Sequence, residues 1–177
     1  MKTVFPANQI HIVETYGFGN TGGFALRLTG NKVHAYQITN PTTSNSVIGN
    51  TVMTGGEWHH IAAVRDAEAM RIYVDGVEKK NETTVTGKLV TKSNIWIGVT
   101  GQVNAITNWL QANIDEIRVW NVARTADEIA ANYWENIISS KESGLVGYWQ
   151  FNSGSGSTAL DQTTNSVSGE ITGASWS

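Results

Sequence analysis

The sequence predicts an all-β protein, an antiparallel sandwich carrying one short helix near its C-terminal third. Three observations predict it. Short segments rich in β-branched and aromatic residues recur along the chain, each bounded by Gly, Asn or Thr. Two Gly-containing dipeptides fall between apolar runs, where a tight hairpin requires positive φ. Only 15% of the residues are charged, and Thr, Ser and Asn fill the polar positions, residues that suit strand edges and turns better than helix interiors.

Strands are expected near 9–16, 23–29, 32–39, 58–65, 70–75, 94–100, 113–121 and 144–151. Gly30-Asn31 joins the second to the third, and Asp75-Gly76 closes another hairpin; both pairs suit a type I′ turn. In the 58–65 strand, Trp58, His60, Ala62 and Val64 share a face, which makes His60 buried and hydrogen-bonded and His59 exposed. One helix is expected. Thr125 and Glu128 form a capping box, and Ile129, Tyr133 and Ile137 then repeat at helical spacing with Trp134 beside them. After the aromatic segment Gly144-Leu145-Val146-Gly147-Tyr148-Trp149-Gln150-Phe151, the Gly/Ser run 152–157 reads as a loop between strands of one domain.

The chain of 177 residues is long enough to bury a two-sheet core without staples and is read as a single domain, 1–177. It has no cysteine, which excludes disulfides, thiolate nucleophiles and Cys-based metal sites. A net charge of −3 argues against nucleic acid as a partner, since phosphate contacts need clustered Lys and Arg. No apolar run approaches the roughly 18–20 residues that cross a bilayer, so membrane insertion is not expected, and the first residues lack the long apolar core of a signal peptide.

Four segments carry a family pattern in order and spacing: Gly56-Glu57-Trp58-His59-His60-Ile61-Ala62-Ala63-Val64, Arg71-Ile72-Tyr73-Val74-Asp75-Gly76, Ile95-Trp96-Ile97-Gly98, and Ile114-Asp115-Glu116-Ile117-Arg118-Val119-Trp120-Asn121 running into Arg124-Thr125-Ala126-Asp127-Glu128-Ile129. The chain thus resembles the laminin G-like modules of the concanavalin A-like lectin/glucanase superfamily, bacterial jelly-roll domains. The resemblance covers about two-thirds of the chain. It implies a concanavalin A-like β-sandwich, secretion or a cell-surface location, and recognition of a glycan or a cell-surface protein beside neighbouring domains of a longer chain. Two departures stand out. Residues 144–177 look like a segment that commonly opens such a module, here closing it. The aromatic strand usually found ahead of the segment matching 10–16 is missing or reduced to Thr3-Val4-Phe5. The chain is therefore expected to be a piece of a longer protein, with its closing strands completing the sandwich in permuted order and covering a sheet edge.

The candidate chemistry is sparse. Gly17-Phe18-Gly19-Asn20-Thr21-Gly22 matches G-x-G-x-x-G, but Gly23 to Leu28 alternates as a strand where a dinucleotide site needs a helix, so a hairpin loop is the better reading. Asn152-Ser153-Gly154-Ser155-Gly156 lacks the leading Gly of a serine nucleophile elbow. His59, His60, His11 and His34 show no zinc-ligand spacing. Asp115 and Glu116 invite a glycan-cleaving enzyme, yet adjacent strand residues point to opposite faces and no second acid sits at i+2 or i+4. Glu116 is instead expected to pair with Arg118, and Asp115 to accept hydrogen bonds locally, leaving no catalytic residue.

For binding, the resemblance points to Ca²⁺ held structurally by Asp161 and Asn165, although the loop lacks the usual Gly before its Asn; a plain Asx-turn is the alternative. Sugar recognition needs aromatic faces and amide or carboxylate partners. Trp58, Trp96, Trp120 and Trp149 read as core. Trp109 with Asn108 and Gln111 reads as a surface platform or, alternatively, as the apolar anchor of the next strand; Tyr16, Phe18 and Tyr36 are further candidates. The expected function is a non-catalytic recognition or adhesion module, with a carbohydrate ligand ahead of a protein-interaction or spacer role.

Overall fold

The computed structural model describes residues 2–3, 10–15, 22–40, 43–82, 85–87, 94–102, 105–107, 109–135 and 142–176. Tyr16, Phe18, Asn108, Ile137, Val4, Phe5 and all but the last residue of the 17–22 glycine motif lie outside them. In chain order the elements are β1 (Lys2–Thr3), β2 (Ile10–Glu14), β3 (Gly23–Thr29), β4 (Lys32–Asn40), β5 (Thr43–Val52), β6 (Ile61–Arg65), β7 (Met70–Val74), β8 (Val77–Glu82) and β9 (Trp96–Ile97). The remainder are β10 (Thr100–Gln102), β11 (Ala105–Thr107), β12 (Ala112–Asn113), β13 (Ile117–Trp120), α1 (Ala126–Asn132), β14 (Leu145–Trp149), β15 (Thr158–Ala159) and β16 (Gly169–Glu170). Every strand pairing among the described residues is antiparallel.

Two sheets face one another. The larger has the order β5-β4-β3-β2-β9 and the smaller β6-β7-β8. Strand alternation sends Phe24, Leu26 and Leu28 of β3 and Val33 and Ala35 of β4 inward, where they meet Met70, Ile72 and Val74 of β7. This is the β-sandwich that the sequence predicts, and each expected strand overlaps an observed one.

The turns follow from their residues. Gly30 and Asn31 take φ of 55° and 61°, and Asp75 and Gly76 take 51° and 75°, as a type I′ turn requires. Gly76 is needed twice over, because a Cβ there would lie 2.9 Å from the Tyr133 ring. Thr125 caps α1 as expected: its hydroxyl accepts from Glu128 N–H at 3.2 Å while Glu128 accepts from Thr125 N–H at 2.8 Å. Ile129 then docks the helix on Val64 and Tyr73, covering one end of the smaller sheet.

The structure differs from the sequence reading in three places. The strand expected over 58–65 begins only at Ile61, so Trp58 is 47% exposed rather than core; of the four indoles read as core, only Trp149 is fully buried. His59 is held by Asp75, its Nδ1 3.0 Å from the carboxylate, whereas His60 Nδ1 is buried with no hydrogen-bond partner. The burial expected of His60 holds while the hydrogen bond expected of its ring does not, and His59, expected exposed, is half-buried; Asp75 spends its second oxygen on His60 N–H and not on its ring. Finally, the ten-residue β5 and the Lys-rich edge strand β8 carry too few apolar residues to announce themselves.

The closing segment covers an edge of β13. β14 pairs with it from Ile117 opposite Trp149 to Trp120 opposite Leu145, and Asp161 bridges the far side of β14. The Gly/Ser run 152–157 is an exposed turn leading into β15.

Candidate functional site

From Trp109 to Asp115 exposure alternates strictly. Trp109, Gln111, Asn113 and Asp115 point to solvent, while Leu110, Ala112 and Ile114 turn inward. The inward row explains the local fold. Leu110 and Ala112 pack against the sandwich core, and Leu110 N–H donates to Gly98 O at 2.8 Å, tying this segment to the end of β9. The outward row then follows from the two-residue period. It sets an indole, two amides and a carboxylate along about 20 Å at roughly 3.3 Å per residue. Trp109 remains 48% exposed and rests one side of its ring on Gly173, where an added Cβ would come within 3.2 Å. Leu110 is thus the inward anchor of the segment, while Trp109 keeps an exposed ring. Gln111, Asn113 and Asp115 were legible as partners from the W-L-Q-A-N-I-D alternation alone.

Tyr36 sits on β4 facing away from the core. Arg27 lies over its ring at 4.6 Å and His34 meets it edge-on at 6.0 Å. A β-bulge at Ile12 in β2 turns Glu14 onto the same side as His11, and the two side chains bond to each other although Glu14 is wholly buried. The Tyr36 face is thus partly engaged by the protein's own cation.

Burial, with Arg27 and His11 nearby, pushes the His34 imidazole down to about 4; burial, with Arg118 adding to it and Asp75 opposing, does the same for His60. Both are neutral at pH 7. Their folded values lie below the unfolded value of 6.5, so the unfolded chain takes up these protons first as pH falls. Their contribution to stability is complete above about pH 6.5 and is lost on going down to about 4. The urea midpoint is expected to decline across that window, and a His34→Gln/His60→Gln variant to decline less; equal slopes would show that these two imidazoles do not drive the loss.

Asp161 and Asn165 come together through Thr163. Asp161 Oδ1 accepts from Tyr148 N–H at 3.0 Å and Thr163 N–H at 2.9 Å; Oδ2 accepts from the Thr163 hydroxyl at 2.8 Å and Val167 N–H at 2.9 Å. Asn165 N–H reaches Thr163 Oγ1 at 3.3 Å, and its amide nitrogen donates to Val146 O at 2.9 Å. Burial raises the Asp161 carboxyl, but the amides of Thr163, Tyr148 and Val167 with the Thr163 hydroxyl outweigh it, and the net shift is below the ordinary value. A calcium ion takes six to eight oxygen ligands. Here both oxygens of the one carboxylate are already spent on four protein donors, and the described residues hold no group of three or more His, Cys, Asp or Glu. The donor set fits the Asx-turn and not a cation.

The pair Asp115 and Glu116 is arranged as expected. Asp115 Oδ1 accepts from Glu116 N–H at 2.9 Å, and burial raises its carboxyl. Glu116, at φ 55°, turns its carboxylate to Arg118 at 2.8 Å and the Tyr148 hydroxyl at 2.6 Å. Arg118 is in turn fixed by the carbonyls of Asn132 at 3.1 Å and Glu135 at 2.5 Å. One carboxylate is thus locked in an ion pair and the other bonded to its neighbour's backbone, in place of two acids facing across a cleft.

Fold and pattern together place the protein with lectin-like sandwiches. Residues 3–130 match the family model of the concanavalin A-like lectin/glucanases superfamily, and the chain belongs to that family. A solved structure of a proposed carbohydrate binding protein from Bacteroides ovatus superimposes with a TM-score of 0.75 at 17% identity; the match covers 96% of this chain and 49% of that one, so this chain spans about half its length. An S-layer domain-containing protein from Clostridium thermocellum matches with a TM-score of 0.41 at 18% identity, over 74% of this chain and 65% of that one. A search of curated proteins finds no match. Among the described residues no helix is long and apolar enough to cross a membrane.

Proposed function

We propose that this chain is a non-catalytic carbohydrate-binding module of a secreted or cell-surface protein, acting as one unit of a longer polypeptide. The outward row Trp109, Gln111, Asn113 and Asp115 carries the reading. An exposed indole offers its face to sugar C–H groups, and the amides and carboxylate beside it supply the donors and acceptors that hydroxyl groups need. The row is held rigid by its inward half, so little ordering entropy is lost on binding. Superfamily membership and the Bacteroides ovatus protein's proposed carbohydrate binding support the same reading. The engaged state of Glu116 and Asp115 supports the absence of glycan cleavage. Asn108, Tyr16 and Tyr36 are proposed as further ligand contacts.

In polysaccharide-affinity and glycan-array assays the protein is expected to be retained by at least one glycan, and Trp109→Ala to weaken that binding by about tenfold or more, the scale of a lost aromatic stacking contact. Far-UV circular dichroism of the variant should be unchanged. Binding that survives the substitution would displace the site from Trp109, and silence across a broad panel would favour a spacer role. Release of reducing sugar that Glu116→Gln abolishes would overturn the non-catalytic reading.

A further inference from the structure

An open slot of about 870 Å³ lies between β6 and β13. Its floor is the inner face of the larger sheet, contributed by Ile12, Val13, Phe24 and Leu26. Its walls have a different character. Consecutive residues 58–65 line one side and 114–124 the other, whereas a strand presenting a face to a cavity contributes only every second residue. The slot therefore runs along two strand edges. Among the described residues neither edge is paired on that side: β6 ends the order β6-β7-β8, and β13 pairs only with β14.

The ladders show which backbone groups face the slot. Asp75 N–H donates to His60 O at 2.9 Å and Asp66 N–H to Ala69 O at 3.1 Å, so residues 60, 62, 64 and 66 exchange bonds with the β7 side. The amides and carbonyls of Ile61, Ala63 and Arg65 consequently point away from β7. On the opposite wall Asn121 N–H donates to Gly144 O at 2.8 Å, which sets Ile117 and Val119 toward β14 and Arg118 and Trp120 away from it. Tyr148, opposite Arg118, agrees: its N–H goes to Asp161 and its carbonyl accepts from Gln162 N–H at 2.8 Å, both away from β13. The buried His60 Nδ1 and Arg118 Nε, both on lining residues, also have no hydrogen-bond partner among the described residues.

We infer that this slot accepts an extended peptide strand from another polypeptide, with apolar side chains at alternate positions, by β-augmentation of both edges. Only a polypeptide backbone offers N–H and C=O groups alternating to both sides at the repeat the two walls present. Apolar side chains on one face of that strand would meet the floor, and those on the other would lie outward near the exposed Trp58 and Trp134, which line the slot. Of the Trp109 row only Asp115 also lines this slot, so failure of one reading leaves the other standing.

The test uses a short synthetic peptide alternating valine and threonine, the same peptide N-methylated at alternate amides, and a soluble oligosaccharide panel. The parent peptide is expected to raise the melting temperature by several degrees and to slow amide exchange at Ile61, Ala63, Arg65, Arg118 and Trp120 by tenfold or more, with a change in tryptophan fluorescence. The N-methylated peptide should do none of these. Equal effects from both peptides would show that the slot is filled through side chains alone and would overturn the inference. So would an oligosaccharide giving the same protection, or no protection at either edge at millimolar parent peptide.

Discussion

Gly147→Val is expected to destabilise the protein by about 3 kcal/mol or more, enough to leave it partly unfolded at ambient temperature if its stability is ordinary. Gly147 lies two residues before Trp149 on β14, and the indole folds back over it. A Cβ built at Gly147 would sit 2.5 Å from the Trp149 ring. Trp149 has little room to withdraw, being buried at 4% exposure with its indole N–H donating to Val167 O at 3.2 Å. The backbone at Gly147 is outside the positive-φ region, so the cost is steric and not conformational. Gly147→Ala should already cost about 1–3 kcal/mol, and in a Trp149→Leu background much less. Chemical denaturation of the four proteins of this cycle measures the coupling; an alanine penalty equal in both backgrounds would sink the explanation.

Asp161→Ala is expected to be of similar size, about 3–5 kcal/mol, since it leaves two amides, a further amide on Val167 and a hydroxyl without their charged acceptor. These donors come from β14 and from the loop that follows Asp161, so the carboxylate fastens the closing segment to the strand that covers β13. Asp161→Asn should lose less, keeping one carbonyl oxygen while turning an amide toward a donor. The pH dependence has a definite sign. The folded carboxyl lies below its ordinary value of 3.8, so its contribution is complete above that pH and is lost as pH falls through the lower folded value. Calcium belongs to the same experiment. EDTA followed by excess calcium should leave the melting temperature of the wild-type protein unchanged, and a calcium-dependent rise would restore the cation reading of Asp161 and Asn165.

Much of this architecture could be read from neighbouring residues. Gly30-Asn31 and Asp75-Gly76 announced their turns because positive φ is a property of single residues. Thr125 and Glu128 announced α1 because a capping box closes within one turn. Glu116 and Arg118 are two residues apart on one face, and their pairing was equally local. Trp58 failed for a local reason as well: its period-2 match to Val64 counts only if the strand extends that far, and it starts at Ile61. β5 escaped notice because its burial falls on small and polar residues, with Val47 the one large apolar side chain turned into the core.

What the sequence determined by itself was the class of fold, the turns, the helix cap and the alternating face that carries Trp109. Each rests on dihedral preference or side-chain period, which act between residues a few positions apart. Tertiary structure alone decided that Gly147 makes room for Trp149, that Asp161 is spent on four protein donors, and that the edges of β6 and β13 face a common slot. Those outcomes depend on which backbone groups and rings are brought together across the chain, and excluded volume and hydrogen-bond saturation act only after that assembly.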